Sequence, residues 1–167
     1  RVATVPWEII SIDYKGPYVR SSAGNNYLLV VTDQLTKFVL IQPLRVANTT
    51  ATIKFLENQV FLMFAAPKII ICDNGSVFRS KEFQSFLGKY KVEVRYTPLY
   101  HPQANPTERV NRVIGESISA YVGSNHKSWD VHIQKIACAI RTAVHESTKF
   151  TPYEVNFGMK YRAQGNE

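Results

Sequence analysis

The stretch "KIIICDNGS", residues 68–76, decides the class of fold. Ile69, Ile70, Ile71 and Cys72 follow one another without polar alternation, so a strand built from them must be covered on both faces. Such a strand belongs in the middle of a sheet that carries helices on either side. Asp73 ends the run and leads into Asn74-Gly75, a turn-forming pair. Its carboxylate either serves that turn or stands as a ligand at the carboxyl edge of a central strand, where open α/β sheets gather their ligands. Cys72 points to the opposite face from Asp73, into the core.

Toward the N-terminus, "EIISIDY" (8–14), "YLLVVTD" (27–33) and "FVLIQPL" (38–44) are short segments rich in β-branched residues. The connections "SSAGNN" and "QLTK" suit an antiparallel meander. The period then changes. Ile53, Leu56, Val60 and Phe64 recur at helical spacing after an Asn/Thr start at 48–50, and Pro67 ends that helix. Beyond the central strand, "SKEFQSFLGKY" (80–90) predicts a helix and "VEVRYTP" (92–98) a fifth strand. Val110, Val113, Ile114, Ile118 and Tyr121 mark a long amphipathic helix, with Glu108, Arg112 and Gly115 on its other face. Residues 129–147 and 151–158 predict two more helices. The order β-β-β-α-β-α-β-α-α-α gives an α/β fold: a five-stranded mixed sheet, three antiparallel strands then two parallel, flanked by helices. One domain spans 1–160, and 161–167 read as a disordered tail or the start of a linker.

A hydrophobic content of 45% with 12% aromatics fits a folded core rather than a disordered chain. No apolar run approaches the roughly 20 residues of a membrane span, so no membrane partner is expected. Cys72 and Cys138 both lie among apolar neighbours, as buried free thiols do in a reducing compartment. With His101, His126, His132 and His145 they make no zinc-finger spacing. The net charge of +7 and pI near 9.5 favour a polyanionic partner.

The acids are placed for a particular chemistry. Asp13 stands near the end of the first strand, Asp73 at the end of the fourth, and Glu108 at the start of a helix on the same sheet. They converge if the first and fourth strands are neighbours. In-line displacement at a phosphodiester needs an activated nucleophile and a stabilised leaving oxygen, and two Mg²⁺ or Mn²⁺ ions about 4 Å apart supply both. Hard cations prefer oxygen ligands, so three carboxylates suffice. Each acid also has a structural alternative. Asp13 can cap or pair within the fold, Asp73 can serve its turn, and Glu108 can act in a capping box with Asn105 and Pro106. Asp33, before "QLTK", reads as structural.

Five motifs in this order resemble the catalytic core of retroviral and LTR-retrotransposon integrases, most closely those of the Ty3/gypsy type. They are "PWEIISIDYKGP" (6–17), "LLVVTDQLTKF" (28–38), "IIICDNGSVFRSKEFQSFL" (69–87), "YHPQANPTERVNR" (100–112) and "TPYEVNFG" (151–158). The resemblance implies an RNase H-like fold and two divalent ions, Mg²⁺ or Mn²⁺, held by Asp13, Asp73 and Glu108, with Asp13 bridging them. It implies 3′-end processing of element DNA and strand transfer into target DNA, a homo-oligomer, and action in the nucleus after a cytoplasmic stage. It also implies flanking zinc-binding and C-terminal domains in a complete integrase, so that this chain reads as an isolated core.

Two departures from the family pattern stand out. Residues 74–107 separate Asp73 from Glu108, one fewer than is usual. Gly115 stands where many relatives carry a DNA-facing lysine, which shifts phosphate contact onto Arg109 and Arg112. Candidates for DNA contact are Asn74, His101, Gln103, Asn105, Arg109, Asn111 and Arg112. The alternative is a domesticated integrase-derived module that binds DNA or protein without catalysis.

Overall fold

The computed structural model describes residues 2–97, 107–122 and 125–163, and leaves the side chains at 107–109 and 121–122 outside the description. Strands β1 (Ile9–Lys15), β2 (Tyr27–Asp33) and β3 (Val39–Leu44) form the expected meander, with Asp13 opposite Val30 in the β1–β2 pair. Strand β4 (Ile69–Cys72) lies parallel to β1, and β5 (Glu93–Tyr96) parallel to β4. The sheet order is β3-β2-β1-β4-β5, so β1 and β4 are neighbours. β4 is covered on both faces, as its uninterrupted apolar run demands. Ile70 and Cys72 enter one core, while Ile69 and Ile71 pack on the other side with Ala3, Ile9 and Leu35.

Helices cover both faces of the sheet. On one, α1 (Thr49–Leu56) and α3 (Lys81–Lys89) bury Phe55, Leu56, Phe83, Phe86 and Leu87 against Ile10, Ile12, Leu29, Val31, Ile70 and Cys72. Asn48 and Ser80 start these helices as N-caps, accepting from Ala51 N–H (2.8 Å) and Phe83 N–H (3.2 Å). The first helix was expected as one continuous α-helix to Pro67. It instead widens into a π turn at Glu57–Phe61. The wider turn accompanies burial of two successive residues, Val60 and Phe61, which a regular stripe does not favour. A short helix, α2 (Ser76–Arg79), fills the turn after β4 and was not foreseen, because four residues carry no periodic signal.

The opposite face carries α4 (Thr107–Val122) and α5 (Ile133–Thr142). Ile114, Ile118, Ile133, Ile136 and Ala137 pack there on Leu28, Val30, Val39 and Ile41. Burying each such branched side chain contributes about 1.5–3 kcal/mol before entropy is counted. β3 is an edge strand, and α5 covers its free carbonyls: Arg141 Nε donates to Val39 O (2.6 Å) and Gln134 Nε2 to Ile41 O (3.0 Å). α5 starts later than the expected 129 because Trp129 is held elsewhere. Its indole N–H donates to Val19 O at 2.6 Å, and its ring lies 4.6 Å from that of Tyr18. The helix also ends at Thr142 rather than 147, where the chain turns back through a His145 N–H to Phe150 O bond (2.8 Å). α6 (Pro152–Phe157) has a Thr151 cap, a proline at its first position and Gly158 at φ 72° as its stop. Tyr161, where the tail was expected to start, sets its ring edge-on to Tyr153. Residues 164–167 lie outside the described residues. Both cysteines are free, and among the described residues no helix is long and apolar enough to cross a membrane.

Asp33 carries the structural role expected of it. Fully buried, it accepts from Trp7 N–H (2.9 Å), Thr36 N–H (3.0 Å) and the Thr36 hydroxyl (2.8 Å). It thereby fixes Trp7 in a left-handed conformation (φ 64°) at the entry to β1. Asp33→Ala would leave two backbone donors buried without partners, at about 1–3 kcal/mol each. The expected loss is roughly 3–4 kcal/mol in urea unfolding, and Asp33→Asn, which keeps an acceptor, should lose clearly less.

Candidate active site

The parallel β1–β4 register sets the site. Ser11 pairs with Ile71, and two residues further along each strand stand Asp13 and Asp73. Side chains alternate along a strand, so Asp13 leaves the sheet on the side of Val30, beneath α4, while Ile12 and Tyr14 face the other core. The same alternation separates Asp73 from the buried Cys72, whose thiol is pushed up to about 12 by burial and then by Asp73.

Asp13 and Asp73 stand at the ends of neighbouring parallel strands, and the charge of Asp73 acts on Asp13. Burial raises the pKa of Asp13 from 3.8 to about 6, Asn111 opposes that rise and Asp73 adds to it. Asn111, on α4, donates from Nδ2 to Asp13 Oδ2 at 2.8 Å. Asp73 accepts from Gly75 N–H at 2.8 Å, closing an Asx turn. A Cβ at Gly75 would lie 2.9 Å from Asp73 Oδ1, so a larger residue there would press on the carboxylate. Asp73 thus serves its turn and still presents a carboxylate to Asp13.

Glu108 is the second residue of α4, one turn before Asn111, but its side chain lies outside the description, as does that of Arg109. His101, Gln103 and Asn105 also lie outside the described residues. Arg112 is exposed on α4. Asn74, expected as a DNA contact, is engaged at both ends of its amide. Its Nδ2 donates to Thr97 O (3.1 Å), and its Oδ1 accepts from Nε of Arg79 (3.1 Å) and from Nη2. Asn111 likewise meets Asp13 and does not stand free.

Among the described residues no three His, Cys, Asp or Glu side chains gather as a metal-ligand group. The Asp13–Asp73 pair nevertheless fits a hard divalent cation. The two carboxylates stand at the ends of neighbouring strands, burial penalises the charge of Asp13, and Asn111 Oδ1 is buried without a partner among the described residues. All of these donors are oxygens.

One residue of this site escaped the sequence reading. Lys15, two positions beyond Asp13 on β1, shares its face, and its Nζ donates to Asn111 O at 2.9 Å. Burial lowers its pKa and Asp13 counters. The i, i+2 spacing in "DYK" was the available signal.

Residues 3–102 match the integrase core domain family. The Tf2-3 and Tf2-4 transposon polyproteins of Schizosaccharomyces pombe (strain 972 / ATCC 24843) are each 30% identical over 152 residues, covering 90% of this chain. The chain spans only 11% of the length of those polyproteins. In three dimensions the chain is similar to a simian T-cell lymphotropic virus intasome solved in complex with the PP2A regulatory subunit B56 gamma. The TM-score is 0.80 at 18% identity, over 98% of this chain and 59% of that one. It is also similar to the HTLV-2 integrase catalytic core domain in complex with magnesium (trimeric form). There the TM-score is 0.71 at 21% identity, over 91% of this chain and 97% of that one. At these identities the likeness shows the fold, which is RNase H-like, as expected.

The raised pKa of Asp13 has a sign that can be tested. Between 3.8 and about 6 the folded chain holds a proton that the unfolded chain has lost. Stability is therefore fully present below the lower value and falls as pH rises through the upper one. Asp13→Asn removes that loss. The variant should match wild type near pH 4 and exceed it at pH 7 by on the order of 1–2 kcal/mol, measured by urea unfolding across that range.

Proposed function

Because the chain belongs to the integrase core domain family, we propose that it is the core of a DNA integrase, a polynucleotidyl transferase that processes element 3′ ends and joins them to target DNA. The observation that carries this reading is the pair of carboxylates, Asp13 and Asp73, brought to the ends of adjacent parallel strands, where the charge of Asp73 acts on Asp13. Asp33 is matched with three donors, whereas Asp13 accepts from Asn111 and Asp73 from the Gly75 N–H, and the charge of Asp73 acts on Asp13.

Asp13, Asp73 and Glu108 would hold Mg²⁺ or Mn²⁺, which supplies nucleophile activation and neutralises charge on the leaving oxygen. Asn111 orients Asp13, and the Gly75 N–H orients Asp73, so neither carboxylate must reorganise when substrate arrives. In end processing, water attacks phosphorus; the new P–O bond forms as the P–O3′ bond to the retained strand breaks, that 3′-oxygen takes up a proton, and the departing nucleotide carries the phosphate at its 5′ end. In strand transfer the new 3′-hydroxyl attacks a target phosphodiester, and the displaced 3′-oxygen takes up a proton. Bonds of the same kind are exchanged in each step, so no nucleoside triphosphate is consumed. Joining two DNA ends to one target calls for at least two copies of the chain, and a solved relative has been described in dimeric and trimeric forms. Chromosomal DNA as target places the action in the nucleus.

The test is resealing of a branched strand-transfer product in Mn²⁺, with wild type compared with Asp73→Asn and Asn111→Ala. Wild type should reseal, Asp73→Asn should fall to background, and Asn111→Ala should be slower by about 10–100-fold, the usual cost of removing a ligand's orienting partner. Equal resealing by wild type and Asp73→Asn would refute the assignment. Tight DNA binding without resealing would favour a domesticated module.

A further inference from the structure

Beside the carboxylate pair, a cleft of about 640 Å³ runs between Lys15 and the segment after β1 on one side, and α4 and the 126–129 turn on the other. That volume lies within the roughly 300–1,000 Å³ of sites that take small ligands. Its lining is two-sided in character. Ile118, Tyr18 and Trp129 give it apolar surface, with the Tyr18 and Trp129 rings 4.6 Å apart and the Trp129 N–H already bound to Val19 O. Lys15 gives it an ammonium.

Three features place that ammonium for an anion. Lys15 lies on the same strand face as Asp13, two residues on, at the boundary of cleft and carboxylates. Its Nζ is fixed by one bond, to Asn111 O at 2.9 Å, which leaves two of three N–H donors for a ligand among the described residues. On the α4 side, Gly115 offers no side chain. Among the described residues, a Cβ built there would meet Lys15 Nζ at 3.7 Å, so the glycine leaves the space beside the ammonium free of a side chain. A phosphodiester with a sugar or base attached has the matching form: an anion for the lysine and a flat or apolar body for the remaining walls.

We infer that this cleft receives the DNA strand next to the bond being cut, with a backbone phosphate on Lys15 in the space left by Gly115. The inference rests on the integrase reading above and adds to it a binding residue supplied by β1. Arg109 and Arg112 of α4 are then not the whole of the phosphate-contacting set.

The experiment is anisotropy of a short fluorescein-labelled duplex with the chain in EDTA, titrated from about 50 to 300 mM salt. Lys15→Met should reduce the slope of log affinity against log salt by about one and weaken binding about tenfold at 0.1 M salt. Lys15→Arg should keep both. Adding Gly115→Lys to Lys15→Met should restore the slope, because the new ammonium enters the same cleft from the helix. Thermal melts check that the variants fold. Since Lys15→Met also removes the bond to Asn111 O, Gly115→Lys alone gives an arm independent of it, and should steepen the wild-type slope by about one. An unchanged slope in Lys15→Met, or in Gly115→Lys, overturns the inference and leaves the integrase reading standing. Wild type with no salt-dependent affinity for DNA overturns both.

Discussion

The parallel pairing of β1 with β4 holds Asp13 beside Asp73 against their mutual repulsion, and the rest of the site is arranged around that pairing. Register is what makes it work. Side chains alternate with a period of two, so a slip of one residue in β4 would send Asp73 into the core and bring Cys72 out to the site. The slip is opposed by Ile70 and Cys72, both fully buried among Leu56, Phe83 and the β1 isoleucines. The core thus sets the position of the charges: apolar area on one face of two strands fixes carboxylates on the other.

Holding two acids together has a cost, and the surroundings show how it is limited. Burial lifts the pKa of Asp13 to about 6, within about a unit of neutral pH. The Asn111 amide, the Gly75 N–H and the nearby Lys15 ammonium each offset part of the penalty. None of the three meets both carboxylates in a fixed ion pair. A site meant only for stability would be better served by neutral residues of the same size. One that leaves the charge partly uncompensated is suited to a cation that comes and goes with substrate.

Much of this was legible in the sequence, for reasons that can be named. The unbroken "IIIC" run predicted a strand covered on both faces, and the change from period two to period 3.6 located the first helix. The Asn/Thr start at 48–50 is borne out by a cap bond at Asn48, and the helices read from 80 and from 151 open on caps at Ser80 and Thr151. The neighbouring ends of the first and fourth strands could be stated only as a condition, because strand order is tertiary. The π turn, the short helix after β4 and the late start of α5 follow from packing of Phe61, Phe78 and Trp129, to which local propensity is blind. Asn111 and Lys15 were missed in their actual roles for the same reason: each acts on a residue almost a hundred positions away, Asp13 in one case and the Asn111 carbonyl in the other.

The distribution of positive charge around the pair gives the site a direction. On the β5 side the nearest guanidinium, Arg79, lies flat over Tyr96 at 3.5 Å and donates to Asn74. Tyr96 in turn donates to Phe78 O at 2.8 Å, so the whole group braces the turn that carries Asp73. Moving Arg79 onto a phosphate would break that brace and unseat the carboxylate it supports. On the α4 side, Lys15 is anchored through one donor and Arg112 stands exposed on the helix. An anionic strand entering from α4 meets cations that can accept it without disturbing either aspartate. One entering over Asn74 does not. On the proposed integrase reading, the approach of DNA is set by which basic residues the fold has already engaged, more than by the net charge of +7.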